Sequence, residues 1–169
     1  MVLNPVIPLQ LTTYFPHTMS NRNVAVVTGT RAEFGLLKSP MEHIRSHEAL
    51  SLSTVVTGMH LSPQYGNTHT EIERVGFDID RKVEMLFDSD TGLGMAKSLG
   101  VGISGMAEAF RDLDPDIVLV LGDRDEPFAA GVAAAHMQIP VAHIHGGDVM
   151  IGATIDDSLR HALTKFAHI

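Results

Sequence analysis

Residues 117–121 are a short, almost wholly apolar, β-branched run and residues 141–145 read as a second buried strand, and each stops at a glycine-containing polar turn: Gly122-Asp123-Arg124 after the first, Gly146-Gly147-Asp148 after the second. A run without polar alternation reads as a strand covered on both faces, which is the pattern of a parallel sheet. The segment between them reads as the crossover helix. Asp125 can cap it, Pro127 suits a first turn where no intrahelical N–H is needed, and residues 128–137 are alanine-rich enough to lie close against a sheet. In open α/β sheets ligands bind outside the carboxyl ends of the strands, so Asp123, His145 and Asp148 are candidate site residues on position alone.

The rest of the chain repeats the alternation. Residues 24–28 read as a first strand, followed by the loop Gly29-Thr30-Arg31-Ala32-Glu33-Phe34-Gly35 and a helix to about His47 with Pro40 in its early turns. Arg31 sits where a helix N-terminus can hold an anion. Leu50–Thr57 reads as a second strand, residues 68–75 as a short helix, 79–86 as a third strand, and 91–113 as a longer helix loosened by glycines. Residues 155–169 read as a last helix opened by Asp156 and Asp157, acids that suit its positive end. Strands alternating with helices throughout predict a doubly wound, Rossmann-like parallel sheet.

Composition narrows the function. The 169 residues are 44% hydrophobic, enough for one domain with its own core. No cysteine is present, which excludes a disulfide framework, a thiolate metal site and a cysteine nucleophile, and makes the cytoplasm the default location. A formal charge of -8 without clustered Lys or Arg argues against nucleic-acid or anionic-membrane partners. No apolar run reaches the roughly 18 residues a spanning helix needs. Residues 1–20 carry three prolines and no basic n-region, so a disordered leader is expected there rather than a signal peptide, with translation starting at Met19.

Single motifs are ambiguous here. Gly100, Gly102 and Gly105 match a dinucleotide-binding fingerprint by letter, but they lie within a helical stretch instead of at a strand-to-helix turn. The loop after the first strand lacks the spacing of a Walker nucleotide site. His143 and His145, two apart on a strand, would share a face with Asp148 near, yet nothing completes a ligand set, and no metal is expected. Taken singly, Asp123 reads equally as a turn or capping aspartate, Asp156 as an N-cap, and Arg31 as a surface ion-pair partner.

Taken together, GTRAEFG, VTGMHLSP, YGNT, LGDR, HIHGGD and IDDSLRHALTKFAHI, in that order, resemble the hydrolysing UDP-N-acetylglucosamine 2-epimerases over residues 22–169. That resemblance implies the N-terminal half of a two-domain GT-B fold, with the C-terminal domain that grips much of the UDP lying outside this chain. The implied reaction turns UDP-N-acetylglucosamine and water into N-acetylmannosamine and UDP, on the route to sialic-acid-type sugars, by elimination to a glycal and rehydration. It implies acid/base roles for Asp123 and Asp156 and substrate-binding roles for Arg31, His60, Arg124 and His143. It also implies a UDP-sugar as partner, no cofactor, and a homo-oligomer when complete.

One position departs from the pattern. Where many members have HIEGGE, this chain has His145 in place of the first glutamate and Asp148 in place of the last. Either is placed to share the acid/base work, and the exchange points to a related substrate such as a UDP-diacetamido-trideoxy sugar. A GT-B glycosyltransferase half is the alternative enzyme, disfavoured by LGDR and IDDSLRH together. A fragment that folds but performs no chemistry is the alternative of another class.

Overall fold

The computed structural model describes residues 21–89, 91–149, 152 and 155–169. The expected disordered leader therefore lies outside the described residues, except for its boundary with the first strand.

Five strands form one sheet: β1 (Arg22–Thr28), β2 (Leu50–Thr57), β3 (Arg81–Val83), β4 (Ile117–Leu121) and β5 (Val141–Ile144). Their spatial order is β3-β2-β1-β4-β5 and every pairing is parallel. Between them run α1 (Arg31–Ser46), α2 (His69–Arg74), α3 (Gly92–Leu113) and α4 (Asp125–His136), with α5 (Ile155–Phe166) after β5.

Alternation along each strand divides the core in two. Ala25, Val27, Val55, Val83, Val118, Val120 and Val141 pack with Met106, Ala109 and Phe110 of α3, the alanines of α4, and Leu163 of α5. Val24, Val26, Val56 and Leu121 face the other way, against Phe34, Leu37 and Met41 of α1 and Ile72 of α2. This is the doubly wound arrangement expected from the strand pattern. Gly100, Gly102 and Gly105 lie inside α3, and a Cβ on Gly102 would stand 2.7 Å from Met85 Cε and one on Gly105 2.6 Å from Val83 Cγ1. Those two glycines serve close helix-to-sheet packing and not a nucleotide.

Four local expectations are corrected. The third strand is only Arg81–Val83, because β3 is an edge strand that pairs with β2 at residues 55–57 alone. Asp125 does not cap α4: Arg124 is the N-cap, without a side-chain bond, and Asp125 is the first helical residue. Pro40 lies well inside α1 rather than in its early turns. The last helix ends at Phe166. Beyond it the chain turns alongside β5, with Ile169 N–H donating to Val141 O at 3.3 Å and His143 N–H donating to Ile169 O at 2.9 Å. Ile169 thus bonds to residues on either side of Ala142, which is how a parallel neighbour pairs.

Candidate active site

The strand order reverses between β1 and β4, so the crevice outside their carboxyl ends is the switch point where open α/β sheets bind ligands. At the β4 end, Gly122 takes φ 88°, a left-handed conformation that glycine adopts without strain, and turns the chain so that Asp123 leaves the sheet. The Asp123 carboxylate is held by the guanidinium of Arg160, which is only 8% exposed. Buried arginine is retained where it is paired, and its planar fork fixes a carboxylate more tightly than a lysine would.

Arg160 belongs to a polar stripe on α5. Asp157, Arg160 and Thr164 recur at helical spacing and face inward, Asp157 at 8% exposure. The Thr164 hydroxyl lies 2.9 Å from Arg160 O, accepts from Gly147 N–H at 3.2 Å and stands 3.3 Å from His143 Nδ1. On its other side His143 Nε2 is 2.7 Å from Gly122 O. A carbonyl only accepts, so Nε2 carries the proton, and burial pushes the ring's pKa down, which favours the neutral form. His143 therefore links the β4 turn to α5, with Nε2 donating to Gly122 O and Nδ1 beside the Thr164 hydroxyl.

The strand ends at Ile144, and His145 has φ 63°, a left-handed conformation uncommon outside glycine. The alternation that would place His143 and His145 on one face is broken there. His145 turns outward instead, its Nδ1 3.1 Å from Asp148 Oδ2, with both side chains more than half exposed. Such backbone strain concentrates at functional positions. Arg124 donates from Nε to Glu126 Oε2 at 3.3 Å, and exposed Asp156 lies within electrostatic reach of both Arg124 and Asp125. The structure thus gathers Asp123, Arg124, His143, His145, Asp148 and Asp156 along the β4 and β5 ends.

Arg31 and His60 stand apart, at the β1 and β2 ends. Arg31 is exposed and pairs through Nε with Glu71 Oε2 at 3.0 Å. His60 is fully buried, with Nε2 3.1 Å from Thr28 Oγ1 and Nδ1 2.7 Å from Thr68 Oγ1. It supports the loop from beneath. Burial lowers its pKa to about 4.

A depressed histidine pKa stabilises the fold above the unfolded value, and that stability is lost as pH falls from about 6.5 toward 4. Between pH 7 and 5 this amounts to about 2 kcal/mol. Urea unfolding should show His60→Gln losing less stability than wild type over that interval by about this amount.

Arg160, Thr164, Glu33 and Glu126 were not singled out from the sequence. The spacing of Asp157, Arg160 and Thr164 on one helical face was available as a signal, and Thr30-Arg31-Ala32-Glu33 reads as a capping box, which the structure contains. Nothing local marks Glu126, whose burial is created by distant glycines.

Fold and site together define a Rossmann-like domain of the kind that forms the N-terminal half of GT-B nucleotide-sugar proteins. The sequence profile described as UDP-N-acetylglucosamine 2-epimerase matches residues 42–169. The chain belongs to that family. It is 42% identical over 147 residues to the UDP-N,N'-diacetylbacillosamine 2-epimerase (hydrolyzing) of Legionella pneumophila, covering 87% of this chain and 38% of the relative. It is 34% identical over 148 residues to the UDP-N-acetylglucosamine 2-epimerase of Neisseria meningitidis serogroup B, covering 88% and 38%. The crystal structure of UDP-GlcNAc 2-epimerase from Neisseria meningitidis bound to UDP-GlcNAc superposes with a TM-score of 0.74 at 22% identity, over 86% of this chain and 39% of that one. The chain thus spans well under half the length of these relatives.

Proposed function

We propose that this chain forms one wall of a hydrolysing 2-epimerase that converts a UDP-linked 2-acetamido sugar and water into UDP and the free sugar inverted at C2. The observation that carries the reading is Asp123, clamped by buried Arg160 at the switch point. In the first step a base removes the C2 proton while the C1–O bond to UDP breaks, and its electrons leave with the diphosphate. In the second, water oxygen adds to C1 of the glycal and a proton is delivered to C2 from the opposite face. Two carboxylates, Asp123 and Asp156, serve these proton transfers. Arg31 and Arg124 meet the departing diphosphate, as oriented cations do for charge that develops in a transition state. His145 and Asp148 form a hydrogen-bonded pair beside them, available to relay a proton. His143 holds the β4 turn, and His60 the loop after β2. The other wall comes from a second domain, and the whole protein acts as a cytoplasmic homo-oligomer.

Two sugars are in contention, UDP-N-acetylglucosamine and UDP-N,N'-diacetylbacillosamine. Greater identity to the Legionella relative favours the second, as does the HIHGGD departure. Mass spectrometry of the products from each sugar, incubated with the complete two-domain protein, decides between them. UDP release from neither would overturn the reading.

A further inference from the structure

Two glutamates lie beneath the site, outside the chemistry described above. Glu33, 7% exposed, accepts at Oε2 from Gly29 N–H (2.7 Å) and Thr30 N–H (3.2 Å), while its Oε1 is buried and has no partner among the described residues. Glu126, 1% exposed, accepts at Oε2 from Arg124 Nε, and its Oε1 is likewise buried without a partner. Both side chains press on the same backbone. Gly29 bonds to Glu33, and a Cβ on Gly29 would fall 2.7 Å from Glu126 Cγ; a Cβ on Gly58 would collide with Glu126 Oε1. The chain has kept two strand-end positions free of side chains so that this carboxylate can be enclosed.

A buried carboxylate oxygen without a donor is costly, and two neighbouring ones facing one cation are costlier. Arg124 supplies one positive charge against two negative ones. The other ionisable groups around the pair do not correct the count: His60, on the β2 side, is held neutral by burial, and Asp156, acting on Arg124, adds negative charge. One proton supplies what is lacking, because it turns one buried carboxylate into a neutral carboxyl and leaves a single negative charge opposite Arg124.

We propose that Glu33 and Glu126 together hold one proton, and that this carboxyl–carboxylate pair is the positioning device that fixes Arg124 at the switch point. Burial, reinforced by the charge of Glu126, pushes the pKa of Glu33 up to about 7, in accord with a neutral partner. What Arg124 then does rests on the epimerase reading; the shared proton does not.

The test is an NMR titration of the full chain with 13C-labelled glutamate side chains and 15N-labelled arginine. One of the two glutamates is expected to titrate near neutrality, with the Arg124 Nε resonance following the same midpoint. In Glu126→Gln the Glu33 midpoint should fall by at least about one pH unit, since the neighbouring charge is gone and the amide supplies a donor. If Glu126→Gln does not fold, the coincidence of the glutamate and Arg124 midpoints in the wild-type chain still decides. Both carboxylates ionised below neutrality, an Arg124 resonance that ignores the titration, or a Glu33 midpoint unmoved in Glu126→Gln would overturn the proposal. None of these readouts depends on turnover, so their failure is distinct from failure of the proposed reaction.

Discussion

Residues 21–169 alone should release no measurable UDP from UDP-N-acetylglucosamine or its diacetamido relative, even with every side chain of the site in place. Asp123, Arg124, His145 and Asp148 lie at the carboxyl edge of one sheet. On the proposed reading the diphosphate is gripped by a second domain, and that grip both orients C1 and C2 against the carboxylates and keeps bulk water out. Correct orientation of bound reactants is worth about 7 to 11 kcal/mol of barrier. Binding energy drawn from the remote nucleotide is lost as well. The measurement is a coupled UDP-release assay comparing the isolated chain, its Asp123→Asn variant and the complete protein. Turnover by the isolated chain clearly above that of its own variant would show that one wall suffices.

In the complete protein, Asp123→Asn should lower turnover by at least roughly a hundredfold, the scale of losing a positioned acid or base. Asparagine preserves the shape of the side chain and a hydrogen bond to Arg160 but cannot take a proton. Arg160 keeps the nearby charges of Asp148 and Asp157, so the fold should survive. Urea unfolding run alongside the assay separates loss of chemistry from loss of structure. Asp156→Asn should behave similarly at the exposed start of α5, without a stability change. Near-normal turnover in either variant would move its role to His145 or Asp148.

Much of the fold was legible because parallel strands advertise themselves as uninterrupted apolar runs. The run at 117–121 is found where the sequence places it, as is the alternating stretch at 50–57, while the strand expected over 141–145 stops one residue short, at Ile144. β3 was overestimated because its apolar positions continue past Val83, and Met85 is buried, while the backbone has already left the ladder. Composition records burial there but not pairing. The β4 and β5 ends were legible as candidate site elements because a glycine-containing turn with an aspartate follows each strand. Their supports were not. Glu126 is enclosed by Gly29 and Gly58, which only the fold brings near it. Asp125 and Arg124 exchanged places at the start of α4 because a one-residue difference in helix start lies below what capping preferences resolve.

The central place of β1 also bears on how the chain folds as it is made. Its partner β2 follows after a single helix, but its other neighbour, β4, must come from far downstream. The seam there is closed by Asn23 N–H to Asp116 Oδ2 at 2.7 Å and Asn23 Nδ2 to Leu113 O at 2.9 Å, across separations of 93 and 90 residues. From Thr57, where β2 ends, to Ile117, where β4 begins, synthesis at about 5 to 20 residues per second takes roughly 3 to 12 seconds. For all of that time β1 presents one unpaired apolar edge beside an otherwise assembled β1-α1-β2 unit. During that interval on the ribosome the unpaired edge of β1 is open to pairing with other strands.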